Sequence, residues 1–180
     1  MPRYSIRTRV ELSLILLVTA GWKIVLLNMN AVPFNADEAV VGLMARHILA
    51  GQWPIFFYGQ AYMGSLDAIF VAGFFNIIGQ GVYAIRIVQI FLYLLTIITT
   101  VEIARVGFNS LRIGLNAAWL LSIPTVNQTL YTTASLGGYG EALLIGNLVI
   151  LCGIHICRLL KEKDTPRGQW FYMIALGLLT

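Results

Sequence analysis

Charge is what this sequence has least of. Charged residues fill 11% of its 180 positions, where a soluble domain of that length carries about 25%. Hydrophobic residues fill 58%, and the mean hydropathy is +0.80. Those values exclude an ordinary soluble domain and point to a polytopic membrane protein. Runs of about ten residues alternating apolar and polar, which a membrane barrel requires, are absent, so the spans are expected to be helices. The net charge of +4 comes from basic ends and loops. No Lys/Arg-rich run is interleaved with exposed aromatics, so nucleic acid is set aside as a partner. Cysteine is scarce as well: Cys152 and Cys157 are the only two. Five residues apart in one apolar segment, they fall on different sides of a helix. That argues against a disulfide or a metal pair and for inert thiols. His47 and His155 are isolated, and neither HExxH nor CxxC occurs.

Against this apolar background, the stretch 35–51 stands out. It reads Asn35-Ala36-Asp37-Glu38-Ala39-Val40-Val41-Gly42-Leu43-Met44-Ala45-Arg46-His47-Ile48-Leu49-Ala50-Gly51. Asn35 is a good N-cap, and Glu38 stands three residues later, as in a capping box. Asp37 and Glu38 then occupy the first turn, where the helix dipole favours negative charge. Gly51 suits the C′ position, and Pro54 stops any continuation. A short helix outside the membrane is therefore expected over 37–50. The plain role of the two acids is capping; the sharper one is that of a catalytic base or metal ligand.

The basic start, 1–11, carries Arg3, Arg7 and Arg9 ahead of the apolar run 12–28. Positive-inside placement puts the N-terminus in the cytoplasm and makes 12–28 the first span. A cleaved signal peptide would share this pattern, but the run is long and no clear A-x-A site follows. Lys23 can snorkel or face a polar interior. Residues 29–62 form the first external loop. Its aromatic tail, with Tyr58, Gln60 and Tyr62, suits a chain lying at the interface or lining a site. Apolar segments follow at 63–79, 82–104, 111–124 and 142–157. The polar, basic loop 158–167 comes next, and then a last apolar segment from Gln169. That segment stops short of the ~20 residues a span needs. The chain is accordingly expected to be the N-terminal portion of a longer protein. No internal repeat is visible, and the Asn127-Gln128-Thr129 sequon is treated as chance.

If every apolar segment crosses, the basic loop 158–167 ends up outside and Glu141 inside, against the positive-inside rule. If 63–79 lies shallow on the outer face, the conflict disappears. That segment is short and carries Asp67 and Asn76. Glu141 then faces the same side as Asp37.

Carboxylates at membrane depth are functional candidates by default. Asp37 and Glu38 head one helix. Glu141 heads another, directly after Gly137-Gly138-Tyr139-Gly140, a run that lets backbone approach a ligand. Two such acid sites facing one cavity suit acid–base work or a divalent metal at a phosphate leaving group. Arg86, at the start of its helix, is a candidate for pairing with that phosphate. For Glu141 and Arg86 the plain alternatives are interfacial charges at helix starts.

The basic start, the first span, the loop headed by Asp37-Glu38, the tail leading to Tyr58-Gly59-Gln60 and the later Arg86, Pro124 and Glu141 form a pattern. It resembles the protein O-mannosyltransferase and lipid A aminoarabinose transferase superfamily, membrane glycosyltransferases of the GT-C fold. The likeness covers nearly the whole chain; the Asp-Glu loop is its most specific part. It implies an all-α polytopic transmembrane bundle with a short extracytoplasmic helix in the first loop. It also implies an integral protein of the plasma (inner) membrane. Such enzymes move a sugar from a polyprenyl-phosphate donor to a lipid, glycan or protein acceptor on the outer side. On this likeness Asp37 acts as base toward the acceptor or helps hold the site, with Glu38 beside it in the same motif, and Glu141 matches the second-loop acid. Arg86, Tyr58 and Gln60 fall among substrate-binding positions. A divalent cation is an open expectation, since Glu141 stands alone without Asp-x-Asp. Many relatives carry Pro-Pro-Leu where this chain has Gln60-Ala61-Tyr62-Met63-Gly64. The isolated 180 residues are expected to be inactive. A transporter or flippase of lipid-linked sugars would also use membrane acids, but would tend to show a repeated half. A non-catalytic scaffold would tolerate loss of Asp37 and Glu141.

Overall fold

The structure, a computed structural model, describes residues 2–162 and 166–179. It is mostly helical, with eight helices and one small hairpin among the described residues. Three helices are long and apolar enough to cross a membrane: α1 (Ile6–Asn28), α4 (Val82–Gly107) and the Tyr139–Leu160 part of α7 (Tyr139–Glu162). At 1.5 Å per residue, the 23 residues of α1 reach past a hydrocarbon core of about 30 Å. The remaining helices are shorter: α2 (Ala36–Leu49), α3 (Leu66–Ile78), α5 (Leu111–Ser122), α6 (Val126–Tyr131) and α8 (Pro166–Leu179).

Several expected boundaries move. The helix that carries the expected first span starts at Ile6, so Arg7 and Arg9 are helical as well. The segment expected at 111–124 is a 12-residue helix. Pro124 lacks the donor that a longer helix would need, and Thr125 instead caps α6 by accepting from the Gln128 amide. The stretch 158–162, expected as loop, continues α7. Residues 163–165 of that expected loop lie outside the described residues. The aromatic tail of the first loop is not an irregular chain. Phe56–Phe57 (β1) pairs antiparallel with Gln60–Gly64 (β2), and the register shifts within the pair. The alternating Gln60, Tyr62 and Gly64 carried too weak a pattern to announce a strand.

The chain divides into two compact units. One contains 1–18, 95–123 and 143–180. There Tyr4 donates from its hydroxyl to Glu102, which also pairs with Arg105 at 2.6 Å. Asn147 on α7 donates to the Thr96 carbonyl and to the Thr99 and Thr100 hydroxyls of α4. These are polar ties between apolar helices.

The other unit contains 19–94 and 124–142. Here α2 packs on α3. Val41, Met44, Ala45 and Ile48 of α2 are buried, as are Val71, Ala72 and Phe75 of α3. The spacing on each helix is the three-and-four repeat of a single face. Asn35 caps α2 as expected, its side chain accepting from the Glu38 amide at 3.0 Å, a contact worth about 1 kcal/mol. At the far end Gly51 has φ +85°, the left-handed turn that glycine tolerates best. At 13 residues, α3 is about 20 Å long, too short to span a bilayer.

Candidate functional site

All the acids singled out above belong to the second unit, and α2 supplies two of them. Asp37 and Glu38 are neighbours in its first turn, yet helical geometry separates them by about 100° around the axis. Glu38 points inward and is fully buried. It does not turn back to the Asn35 amide as a complete capping box would. Its two oxygens instead accept from Arg86 Nε at 2.9 Å and Nη2 at 2.8 Å. Arg86 Nη1 donates to the Val32 carbonyl at 2.9 Å. The guanidinium is itself 2% exposed. This bidentate pair ties the head of α2 to the start of α4. Arg86, expected as a phosphate contact, thus has its fork occupied from within the protein.

Asp37 is different. It is half-buried at the head of α2, and no hydrogen bond or ion pair joins it to another described residue. Its carboxylate is available in the first turn of α2.

A second cluster lies around Asp67, the first-turn acid of α3. Gln89 Nε2 donates to its Oδ1 at 2.9 Å, and the Ser135 hydroxyl donates to its Oδ2. Both oxygens are therefore accepting. Burial pushes the Asp67 carboxyl up from 3.8 to about 6, and the negative charge of Glu38 adds to the rise. The two hydrogen bonds pull the other way. Because the folded state holds this proton more tightly than the unfolded chain, stability falls as pH rises from about 4 through about 6. In Asp67→Asn the amide can still accept from Gln89 and donate to Ser135. The variant is expected to show a shallower fall when unfolding is followed between about pH 4 and 6; an unaltered pH profile would remove Asp67 as a source.

Glu141 opens α7 and is 4% exposed. Its Oε2 is buried and has no hydrogen-bond partner among the described residues. The preceding Gly140 lies against Gln89, and a side chain there would run into the Gln89 oxygen. Gln89 is thus held between the Asp67 carboxylate and the Gly140 backbone. Neither Asp37 nor Glu38 bonds to Glu141.

The other expected positions lie apart from these acids. The Tyr58 hydroxyl is 2.7 Å from His47 Nδ1, on the outer side of α2. Gln60 is half-buried in β2. Lys23 turns into the protein rather than snorkelling. Its ammonium donates to the Thr132 carbonyl at 2.8 Å and to the Thr132 and Thr133 hydroxyls. It also sits 4.5 Å from the Tyr93 ring centre.

Asp67, Gln89 and Ser135 were missed as a group. An acid within an apolar helix was visible in the sequence, but its two partners come from 22 and 68 residues away. Among the described residues, no three His, Cys, Asp or Glu side chains stand together as metal ligands. Compared with protein-family models, curated proteins and solved structures, the chain matches none of them.

Proposed function

We propose that the chain carries the acid-bearing portion of a multi-pass membrane glycosyltransferase that uses a polyprenyl-phosphate sugar, with Asp37 as the base. The supporting observation is the division of labour at the head of α2. Glu38 is held by Arg86, while the adjacent Asp37 has no partner among the described residues and keeps partial access to solvent. In the proposed step, an acceptor hydroxyl attacks the anomeric carbon of the donor. The bond from that carbon to the phosphate oxygen breaks, the phosphate leaves with the electron pair, and Asp37 takes the hydroxyl proton. No metal is required for that balance. The test is transfer from a synthetic polyprenyl-phosphate sugar in membranes bearing the natural protein: Asp37→Asn is expected to lose transfer, and undiminished transfer rejects the assignment.

In the accompanying topology the N-terminus is cytoplasmic, α2 is extracytoplasmic and α3 lies shallow on the outer side. Glu141 then shares the outer side with Asp37. Single cysteines at Ala36 and Tyr139, both exposed, in a background lacking Cys152 and Cys157, test this. Gly140 is unsuitable because a side chain there would meet Gln89. Both cysteines are expected to react with an impermeant reagent from outside; labelling of Tyr139→Cys only from the cytoplasm would remove Glu141 from the site.

The buried acids Asp67 and Glu141 favour a second reading, movement of a lipid-linked sugar across the bilayer. Transbilayer movement retained by Asp37→Asn in proteoliposomes would favour it over transfer.

A further inference from the structure

We infer that the groove between α2, the end of α3 and the start of α4 seats an anionic, phosphate-headed membrane lipid, with Arg46 holding the phosphate. The groove encloses about 340 Å³. Its walls include Phe34, Leu43, Phe75, Val82 and Ile85. Phe34 and Leu43 leave about half of their surface exposed, at 51% and 47%. Apolar walls left open in this way suit a hydrocarbon chain better than water or a free ion.

Glu38, Gly42 and Arg46 are spaced four apart on α2 and face the groove together. Gly42 keeps the floor clear: a Cβ there would already stand 3.2 Å from the Ile85 methyl. Arg46 is exposed at the rim. Its Nε donates to Gln80 Oε1 at 2.8 Å, which fixes the plane of the guanidinium. The terminal nitrogens make no hydrogen bond or ion pair with another described residue. A guanidinium so oriented presents paired donors that match two phosphate oxygens.

The charge balance selects an anionic headgroup. Glu38, the one acid lining the groove, is neutralised by Arg86. Asp37 lies nine residues before Arg46, which places it about half a turn away on the opposite face. Among the described residues that line the groove, no carboxylate is left to pair with the cation of a zwitterionic headgroup. Position selects a lipid over free phosphate. The rim residue Gln80 lies two positions before Val82, where α4, a helix long enough to span, begins. That is the level at which headgroups lie. The volume is near the lower end for ligand pockets, enough for the ester end and the first carbons while the chains continue into the bilayer. The inference is independent of sugar transfer and is tested without it.

The experiment is native mass spectrometry of the delipidated full chain in detergent. It is titrated with dioleoyl phosphatidic acid, with dioleoyl phosphatidylcholine and with inorganic phosphate as competitor. Phosphatidic acid is expected to bind at roughly tenfold lower concentration than the choline lipid, the order of one charge-assisted contact. Arg46→Gln is expected to erase that preference. Because Arg46 is exposed, this variant should keep the wild-type melting curve. Gly42→Leu, which fills the floor, is expected to weaken both lipids. Equal binding of the two lipids, or an unchanged preference in Arg46→Gln, would overturn the assignment. So would displacement of phosphatidic acid by equimolar inorganic phosphate, which would mark a site for the free anion.

Discussion

Arg86→Met is expected to destabilise the protein by about 3–5 kcal/mol, the cost of stranding a buried charge. The partner left behind is Glu38, which has no exposed surface and takes two of its hydrogen bonds from this guanidinium. Loss of the Val32 carbonyl's donor adds to the cost. Glu38→Leu alone strands Arg86 in the same way. The double variant removes both charges and is expected to recover most of the loss, since an apolar pair of similar volume is often as stable as a buried ion pair. Thermal unfolding in detergent of the two single variants and the double reads this directly. A stable Arg86→Met protein with weakened donor binding would instead give Arg86 the substrate-phosphate role that its place at a helix start suggests.

Asp37→Asn is the complementary case, with a large effect on rate and a small one on stability. Asp37 bonds to no described residue, so its loss strands nothing. The amide keeps the side chain's shape and gives up only the first-turn charge, worth about 0.3–1 kcal/mol. Transfer is expected to fall by about 10²–10⁴-fold, the range for a positioned base. Asp37→Glu should retain part of the activity, because it restores a carboxylate with a displaced oxygen. Parallel melting curves for wild type and Asp37→Asn, together with the rate loss, would separate chemistry from folding. A large drop in melting temperature would instead make Asp37 a structural residue.

Composition and short-range pattern alone determined much of this protein. Low charge and long apolar runs dictate helices, because a lipid-exposed backbone must satisfy its own hydrogen bonds. Asn35 and Gly51 mark the two ends of α2, since caps are local chemistry between residues a few positions apart. The short α3 follows from an apolar run too brief to span. Tertiary structure decided which charges are spoken for. Asp37 and Glu38 are equivalent as letters, and only the angle between successive residues on α2, together with the arrival of Arg86 from 48 positions away, makes one structural and leaves the other unpaired. The same holds for Lys23, whose partners Thr132 and Thr133 lie more than a hundred residues downstream, and for Asp67, gathered with Gln89 and Ser135. A buried polar group must find a partner wherever the fold brings one, and sequence spacing carries no record of that distance.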